Sequence, residues 1–361
     1  MLASDECNVT VNVKILRTHT FKEGDITMKA LKLLLLLPII ALLVGCGGEK
    51  SAGTNAIRFG TGGTGGMYYA YGTALAKMID AEGKGHALDV KMTAGSAANL
   101  RLLREKFLDI AIVQSDTLSN AINGRGVFAA AGPGVGYAAV AGLYTEACQI
   151  VVSKNSGIMT VSDLVGKRVS VGERESGVLQ NAEQILMAHG LTFEMIETVY
   201  MSFTDAATAM EKGQIDAFFI TAGAPTAAIA DLANRKEIQI LSIDPDVQNN
   251  MMKLYKGYTR CTIPAGTYAG QTADVQTIGV KAVLVASTDL KDDDVLFLTE
   301  FIFKNAENLP HNTSDKLTTE YAIQDIPASF HAGAAKFYDM QGVKVNVYSG
   351  KSSESVKASQ D

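Results

Sequence analysis

The sequence predicts an α/β fold of two similar lobes, each a mostly parallel sheet flanked by helices, with a ligand cleft between the lobes. Short apolar runs alternate with helical patterns along most of the chain, which is typical of parallel sheets. One apolar run, Cys148–Ser153, has no helix before it and is interpreted as a crossover between lobes. Residues 46–361 are long enough for two lobes of ordinary size.

The N-terminal part resembles a bacterial lipoprotein signal. Met28 and two nearby lysines precede an apolar run at 33–44, which is too short to span a bilayer. Leu-Val-Gly-Cys46 follows and resembles a lipobox, where a signal peptidase cuts before the Cys and the thiol then carries a lipid. We therefore expect a lipidated Cys46. We divide the start of the chain into a mis-assigned upstream segment (1–27), a signal peptide (28–45) and a tether (46–56).

Composition argues against several classes of function. The net charge is −6 and no basic patch or Arg-rich helix occurs, which argues against nucleic-acid binding. No apolar run after Cys46 reaches membrane length, so we expect membrane contact only through the lipid. No CxxC or HExxH pattern is present and the histidines are scattered, so we expect neither a metal nor a cofactor. Cys148 and Cys261 lie near the predicted crossovers, and they are expected to form either a disulfide or two buried thiols.

A glycine-rich turn opens the first lobe. A strand from Ile57 runs into five glycines between 60 and 66, and an apolar helical pattern follows to Asp80. Such a turn leaves N–H groups free at a helix N-terminus, which favours an anion. The spacing Gly-x-Gly-x-x-Gly also fits a dinucleotide turn, but no acidic residue ends the next strand, and no Lys-Ser/Thr pair follows. A nucleotide site, a structural turn and a small-carboxylate site stay open, and the other strand ends favour the carboxylate.

Three strand ends should meet at one edge of this sheet: Thr61–Gly66, Thr93–Ser96 and Gln114–Asp116. Apart from Asp116 they are polar and uncharged, which suits a carboxylate held by neutral donors. No His, Lys or Cys nucleophile and no acid–base pair stands there, so we expect no enzyme activity. The serines at these ends are alternatively helix N-caps.

The second lobe repeats the pattern of the first. A charged turn at 172–177 precedes a helix, and Glu211-Lys212 before Asp216 echoes Glu105-Lys106 before Asp109. Residues 260–268 are interpreted as the return crossover, and 277–286 as a strand of the first lobe. The predicted division is first lobe 57–147, second lobe with crossover strands 148–263, first-lobe return and C-terminal helices 264–345, and flexible tail 346–361.

Several blocks in order resemble the TAXI family, the extracytoplasmic solute receptors of tripartite ATP-independent periplasmic (TRAP) transporters. The blocks are FGTGGTGGMYY, TAGSAANLRLL, DIAIVQSD, SDLVGKRVSVG, GQIDAFF, AGAP and IPAGTY, and they cover about 57–338. The resemblance implies a type II periplasmic-binding-protein fold that closes over a small carboxylate such as glutamate, glutamine or 2-oxoglutarate. It implies a lipoprotein of the periplasm or cell surface that delivers the solute to TRAP membrane subunits, separate or fused, for ion-gradient-driven uptake. We expect a monomer. A receptor that signals to a membrane sensor and a nucleotide-dependent enzyme are the alternatives.

The family's binding loops fall on named positions of this sequence. One departure is in the second lobe, where Glu175 replaces a usual glycine and Arg174 adds a charge. Arg174 either pairs with a second carboxylate of the ligand or is a surface residue between two glutamates. The expected ligand-binding residues are Gly63, Thr64, Gly65, Gly66, Tyr68, Tyr69, Thr93, Gly95, Ser96, Asn99, Gln114, Ser115, Asp116, Arg174, Ser176, Gly177, Gly223 and Pro225.

Overall fold

The structure is a computed structural model that describes residues 56–310 and 316–350. The expected upstream segment, the signal peptide, the lipidation site at Cys46 and nearly all of the tether lie outside the described residues, as does the tail after 350.

The strands and helices alternate as the sequence predicts. The strands are β1 Ile57–Gly60, β2 Leu88–Lys91, β3 Ile110–Gln114, β4 Tyr137–Ser153, β5 Arg168–Ser170, β6 Glu197–Val199, β7 Ala217–Ala222, β8 Ile238–Leu241, β9 Thr259–Ile263 and β10 Val275–Ser287. The α-helices are α1 Met67–Glu82, α2 Ser96–Arg104, α3 Ser115–Ile122, α4 Gly177–Ala188, α5 Phe203–Glu211, α6 Ala227–Ala233, α7 Pro245–Leu254, α8 Asp292–Lys304, α9 Thr319–Ile323 and α10 Ala332–Met340. Short 3₁₀ turns lie at Gly126–Ala131, Val161–Leu164, Phe193–Met195 and Ala306–Asn308.

The arrangement of strands in the sheet is nearly the same whether it is followed from one edge or from the other. It runs β2-β1-β3-β10-β4-β7-β5-β6, with β8 on β4 and β9 on β10. In the first lobe β1 pairs in parallel with β2 and β3, and in the second β5 pairs in parallel with β6 and β7. One long antiparallel strand borders each parallel group, β10 on β3 and β4 on β7. The predicted fold of two similar α/β lobes is therefore confirmed.

Each lobe has its own hydrophobic core. The first-lobe core takes the beginning of β4 and the end of β10, including Tyr144 and Val283. The second lobe packs its sheet on both faces, and takes the end of β4 and the beginning of β10, including Ile150 and Ile278. Two long strands therefore cross between the lobes.

The predicted crossovers were wrong in detail. The run Cys148–Ser153, which was interpreted as a crossover of its own, is the second part of β4, which begins at Tyr137. The preceding Thr-Glu-Ala at 145–147 belongs to the same strand, because it pairs with residues 279–281 of β10. The return crossover is β10 itself. Residues 259–263 instead form β9, a strand of the second lobe that pairs with β10.

An Arg–Asp contact recurs in both lobes and explains the echo in the sequence. Asp109 accepts hydrogen bonds from the backbone N, Nε and Nη2 of Arg58, at 2.8, 2.9 and 2.6 Å. Asp216 accepts the same three from Arg168, at 2.9, 3.1 and 2.7 Å. The first contact connects β1 to the residue before β3, and the second connects β5 to the residue before β7. Each of the two carboxylates that the sequence singled out therefore stabilises the parallel sheet of its own lobe.

Candidate functional site

Three helix N-termini from the two lobes point into one cleft. The first-lobe helices α1 and α2 begin after Gly66 and Gly95, and the second-lobe helix α4 begins after Ser176; all three preceding residues line the cleft. A helix start leaves its first N–H groups without partners inside the helix, and the dipole favours negative charge there. Neither Gly66 nor Gly95 supplies a side-chain cap, whereas Ser176 accepts from Leu179 N at 3.1 Å. Both lobes therefore contribute helix N-termini that can bind an anion in the cleft.

Two of the glycines at the cleft are required by geometry. Gly95 has φ of +114°, a conformation that side chains disfavour. Gly177 lies directly against the other lobe, because a Cβ built on it would be 2.0 Å from Gln114 Oε1 and 3.0 Å from Ser96 Oγ. The lobes are therefore closed on each other at this point.

The floor of the cleft carries a buried carboxylate that sequence reasoning missed. Glu146 lies in the middle of β4, opposite Val280 of β10, and is 1% exposed. Its Oε2 accepts a hydrogen bond from the Tyr68 hydroxyl at 2.9 Å. Burial raises the pKa of Glu146 well above its usual range, and burial likewise raises the pKa of Tyr68. The signal for Glu146 was present in the sequence as a lone charge inside a long apolar run.

The second lobe supplies the opposite wall. Glu173, Phe203 and Thr221 face the cleft there. Burial, and then repulsion from Asp205, raises the pKa of Glu173. The space inside the cleft is about 510 Å³ when its open mouth is included. Among the described residues that line it, none is Lys, Arg or His.

Eight of the eighteen residues predicted to bind ligand line this cleft. They are Gly63, Gly66, Tyr68, Gly95, Ser96, Gln114, Ser176 and Gly177. The prediction did not include the other lining residues: Gly62, Met67, Ala94, Glu146, Glu173, Val178, Phe203, Thr221 and Ala222.

Thr93 and Asn99 lie behind the cleft, where they hold its backbone. Asn99 donates from Nδ2 to the carbonyl oxygens of Thr61 and Ile112, at 2.8 and 2.9 Å. Thr93 Oγ1 lies 2.8 Å from the same Thr61 oxygen and accepts from Gly95 N at 3.1 Å. These side chains tie the ends of the strands together, so their role in the structure is to shape the two turns.

Asp116 and Ser115 begin α3 beside the cleft. Asp116 Oδ2 accepts from Gln180 Nε2 at 2.7 Å and from Asn181 Nδ2 at 2.8 Å, both on second-lobe helix α4. Burial raises the pKa of Asp116 to about 6. Ser115 accepts from the backbone N of Lys281 at 3.1 Å. Asp116 therefore contacts the opposite lobe, outside the set that lines the cleft.

Arg174 takes the surface position among the two alternatives left open. Its guanidinium lies 3.9 Å from the centre of the Tyr200 ring, and Arg174 is exposed. The neighbouring Glu175 makes the interlobe contact instead. Arg101 of α2 donates to it from Nε and Nη2 at 3.0 and 2.9 Å, and Ala98 N donates to its carbonyl oxygen at 3.0 Å.

The remaining predicted residues lie at the edges of the site. Gly65 accepts a long hydrogen bond of 3.4 Å from Ala228 N of the second lobe. Thr64 is exposed and Tyr69 is half-buried on α1. Gly223 accepts from Thr226 Oγ1 at 2.8 Å, and Pro225 lies in the same loop before α6. None of these five lines the cleft as the structure describes it.

Cys148 and Cys261, the cysteines among the described residues, are present as thiols in this structure. Cys148 is buried, and its sulfur lies 3.5 Å from the Thr221 hydroxyl. Burial raises the pKa of the Cys148 thiol far above its usual range, so it behaves as a small apolar side chain. Among residues 56–310 and 316–350, no cluster of three His, Cys, Asp or Glu could hold a metal ion. No helix in that part of the chain combines the length and apolar character needed to cross a membrane.

Comparison with known proteins gives one family and several similar structures. Residues 59–342 match the NMT1-like family. The chain is similar to the periplasmic aliphatic sulphonate binding protein SsuA from Escherichia coli, with 18% identity over 81% of this chain and 90% of that chain, and a TM-score of 0.40. It is similar to a protein of Bordetella bronchiseptica RB50, with 17% identity, coverages of 82% and 84% and a TM-score of 0.49. It is also similar to a zinc-bound ligand-binding component of an ABC-type import system from Staphylococcus aureus, with 12% identity, coverages of 81% and 94% and a TM-score of 0.44.

Proposed function

We propose that this chain, which belongs to the NMT1-like family, is the extracytoplasmic solute-binding lipoprotein of a TRAP transporter of the TAXI type. It captures a small carboxylate between its lobes and presents it to the membrane subunits for ion-gradient-driven uptake. The TAXI assignment and the choice of partner rest on the order of the sequence blocks described above.

The observation that carries the proposal is the convergence of α1, α2 and α4 on one closed cleft. Two of the helices come from the first lobe and one from the second, so a carboxylate at these N–H groups bridges the lobes. Each charge-assisted hydrogen bond of this kind contributes about 1.5–3 kcal/mol. A solute that binds both lobes stabilises the closed form over the open one, which is the differential affinity that closure requires.

The lipid anchor at Cys46 completes the proposal, since it keeps a receptor of this kind at the membrane that holds its partner. Mass spectrometry of the N-terminal peptide from membrane fractions tests it. A diacylglycerol-modified peptide that begins at Cys46 supports the anchor, and an unmodified peptide that begins upstream of it contradicts the anchor.

A ligand screen tests the binding function. The purified protein, after denaturation and refolding to remove any co-purified solute, is titrated with amino acids, 2-oxo acids and dicarboxylates while its thermal midpoint is recorded. A solute that binds only the folded state raises the free energy of unfolding by about 2.7 kcal/mol at a hundredfold excess over its Kd. No shift with any of these solutes would contradict carboxylate binding. Uptake into vesicles that contain the TRAP membrane subunits then tests the transport role.

A further inference from the structure

The cleft has two poles of opposite preference. One pole is formed by the N–H groups at the starts of α1, α2 and α4, which favour an anion. The other pole is carboxylate. Glu146 lies on the floor and Glu173 on the second-lobe wall, and no described lining residue carries a positive charge to neutralise them. A ligand that has only carboxylate groups would satisfy the first pole but would bring no cation to stabilise the ionised form of these acids at the second.

Glu146 has one carboxylate oxygen that Tyr68 does not engage. Its Oε2 accepts from the Tyr68 hydroxyl at 2.9 Å, and the residue itself lines the cleft. The residue lines the cleft although it is 1% exposed, so bulk water does not solvate it well. A buried carboxylate without a counter-charge is unfavourable, and a cation supplied by the ligand would remove that cost.

We propose that the solute is a zwitterionic α-amino acid, with its carboxylate at the helix N-termini and its ammonium group hydrogen-bonded to Glu146. This inference rests on the proposed solute-binding function and narrows its ligand class. Glu146 is then the residue that separates an amino acid from the 2-oxo acid or dicarboxylate of similar size. Tyr68 is a positioning residue, because its hydroxyl fixes one carboxylate oxygen and leaves the other directed at the ligand.

The position of Glu146 on β4 supports this assignment. The residue belongs to a strand that crosses between the lobes, and its backbone pairs with Val280 of the other crossing strand. It is therefore held by the sheet and not by a loop. Since the sheet holds its backbone and Tyr68 holds one carboxylate oxygen, Glu146 is positioned to discriminate between ligands by charge.

Calorimetric titration of matched ligand pairs tests the proposal. The probes are the twenty L-amino acids and, for each that binds, the 2-oxo acid with the same side chain, with glutarate and succinate included. We expect an amino acid to bind wild-type protein about 10- to 100-fold more tightly than its 2-oxo acid, the factor that corresponds to one charged hydrogen bond. Glu146→Gln should lower amino-acid affinity by a similar factor and abolish the discrimination. Glu183→Gln, the same change at an exposed position of α4, should leave both affinities unchanged.

The possible outcomes separate this inference from the function on which it rests. If wild-type protein binds a 2-oxo acid or dicarboxylate as tightly as the amino acid, the receptor function stands and the zwitterion proposal is wrong. If Glu146→Gln lowers the affinity for the 2-oxo acid as much as the affinity for the amino acid, Glu146 acts as a neutral hydrogen-bonding acid and not as an ammonium acceptor, which also overturns it. If the protein binds amino acids selectively and Glu146→Gln leaves that selectivity intact, Glu146 is not the ammonium acceptor and the proposal is wrong. Failure of every probe to bind the folded protein overturns both proposals.

Discussion

Replacing Glu175 by glutamine should weaken ligand binding through the open–closed equilibrium, although the Glu175 side chain is not among those that line the cleft. Glu175 connects the lobes by a two-point ion pair with Arg101. The side chains are 43% and 49% exposed, so solvent screens the pair, and its value lies near that of a surface salt bridge, about 0.2–1 kcal/mol. Since the pair exists only when the lobes meet, its loss should raise the Kd by about 1.4- to 5-fold.

The variant Glu175→Gly distinguishes the effect of the side-chain charge from the effect of the backbone conformation. Glu175 has φ of +62°, the left-handed region, which costs about 1–2 kcal/mol for a residue with a side chain. Glu175→Gly removes this strain but adds backbone entropy to the unfolded chain, worth about 0.5–1 kcal/mol. The thermal midpoint of Glu175→Gly should therefore equal or exceed that of Glu175→Gln, while the two variants share the weaker ligand affinity.

The assay is a double-mutant cycle on ligand Kd with Arg101→Met, Glu175→Gln and the double variant, at low and high salt. The double variant should bind no more weakly than either single variant, and the deficit of each single variant should shrink in high salt. Additive effects of the two changes, or a deficit that salt does not alter, would refute the interlobe role.

Three further predictions follow from contacts within and between the lobes. Gly177→Ala should raise the ligand Kd about tenfold or more, because the added Cβ meets Gln114 when the lobes close. The thermal midpoint of the ligand-free protein should not fall, since the contact arises only on closure. Calorimetry measures the Kd, and small-angle scattering measures closure. Asp116→Asn should stabilise the protein relative to wild type at neutral pH but not at about pH 4. Folding raises the pKa of Asp116 from 3.8 to about 6, so wild-type protein loses stability as the pH rises through that window. Thermal midpoints of both proteins, measured across this pH range, test the prediction. Asp216→Ala should lower the free energy of unfolding in urea titrations, since it removes the acceptor of three hydrogen bonds from Arg168, and unchanged unfolding would contradict a stabilising role for the contact.

The parts of the site that could be predicted are those set by local chain geometry. Gly95, Ser96 and Gln114 follow strands of a parallel sheet, and such strand ends gather at one edge whatever the rest of the fold does. Gly177 was found in the same way, from a turn between a strand and a helix. Their presence at the cleft required no knowledge of how the lobes meet.

The residues that were missed depend on long-range geometry. Glu146 stands in the middle of a strand, and its place on the cleft floor follows from β4 continuing through both lobes, whereas the sequence appeared to break there. Phe203 begins α5 of the second lobe directly after the helix cap Ser202, and its place in the cleft depends on how the two lobes meet. Asp116 was placed correctly at a strand end, but its partners belong to α4, and no local pattern reveals a contact between lobes.

The crossing strands link ligand recognition to closure. Outside the loops, the described chain passes between the lobes at β4 and β10, and the β4–β10 pairing has register shifts between Ala282 and Val283 and between Leu284 and Val285. A rotation of the lobes must be absorbed near this pair, since each flanking segment is packed in its own core. Glu146 is paired in the same segment, so it moves least when the lobes rotate. We therefore expect a solute to bind first to Glu146 and the first-lobe helices, and the start of α4 to reach it last, which makes closure dependent on a ligand that both lobes can hold.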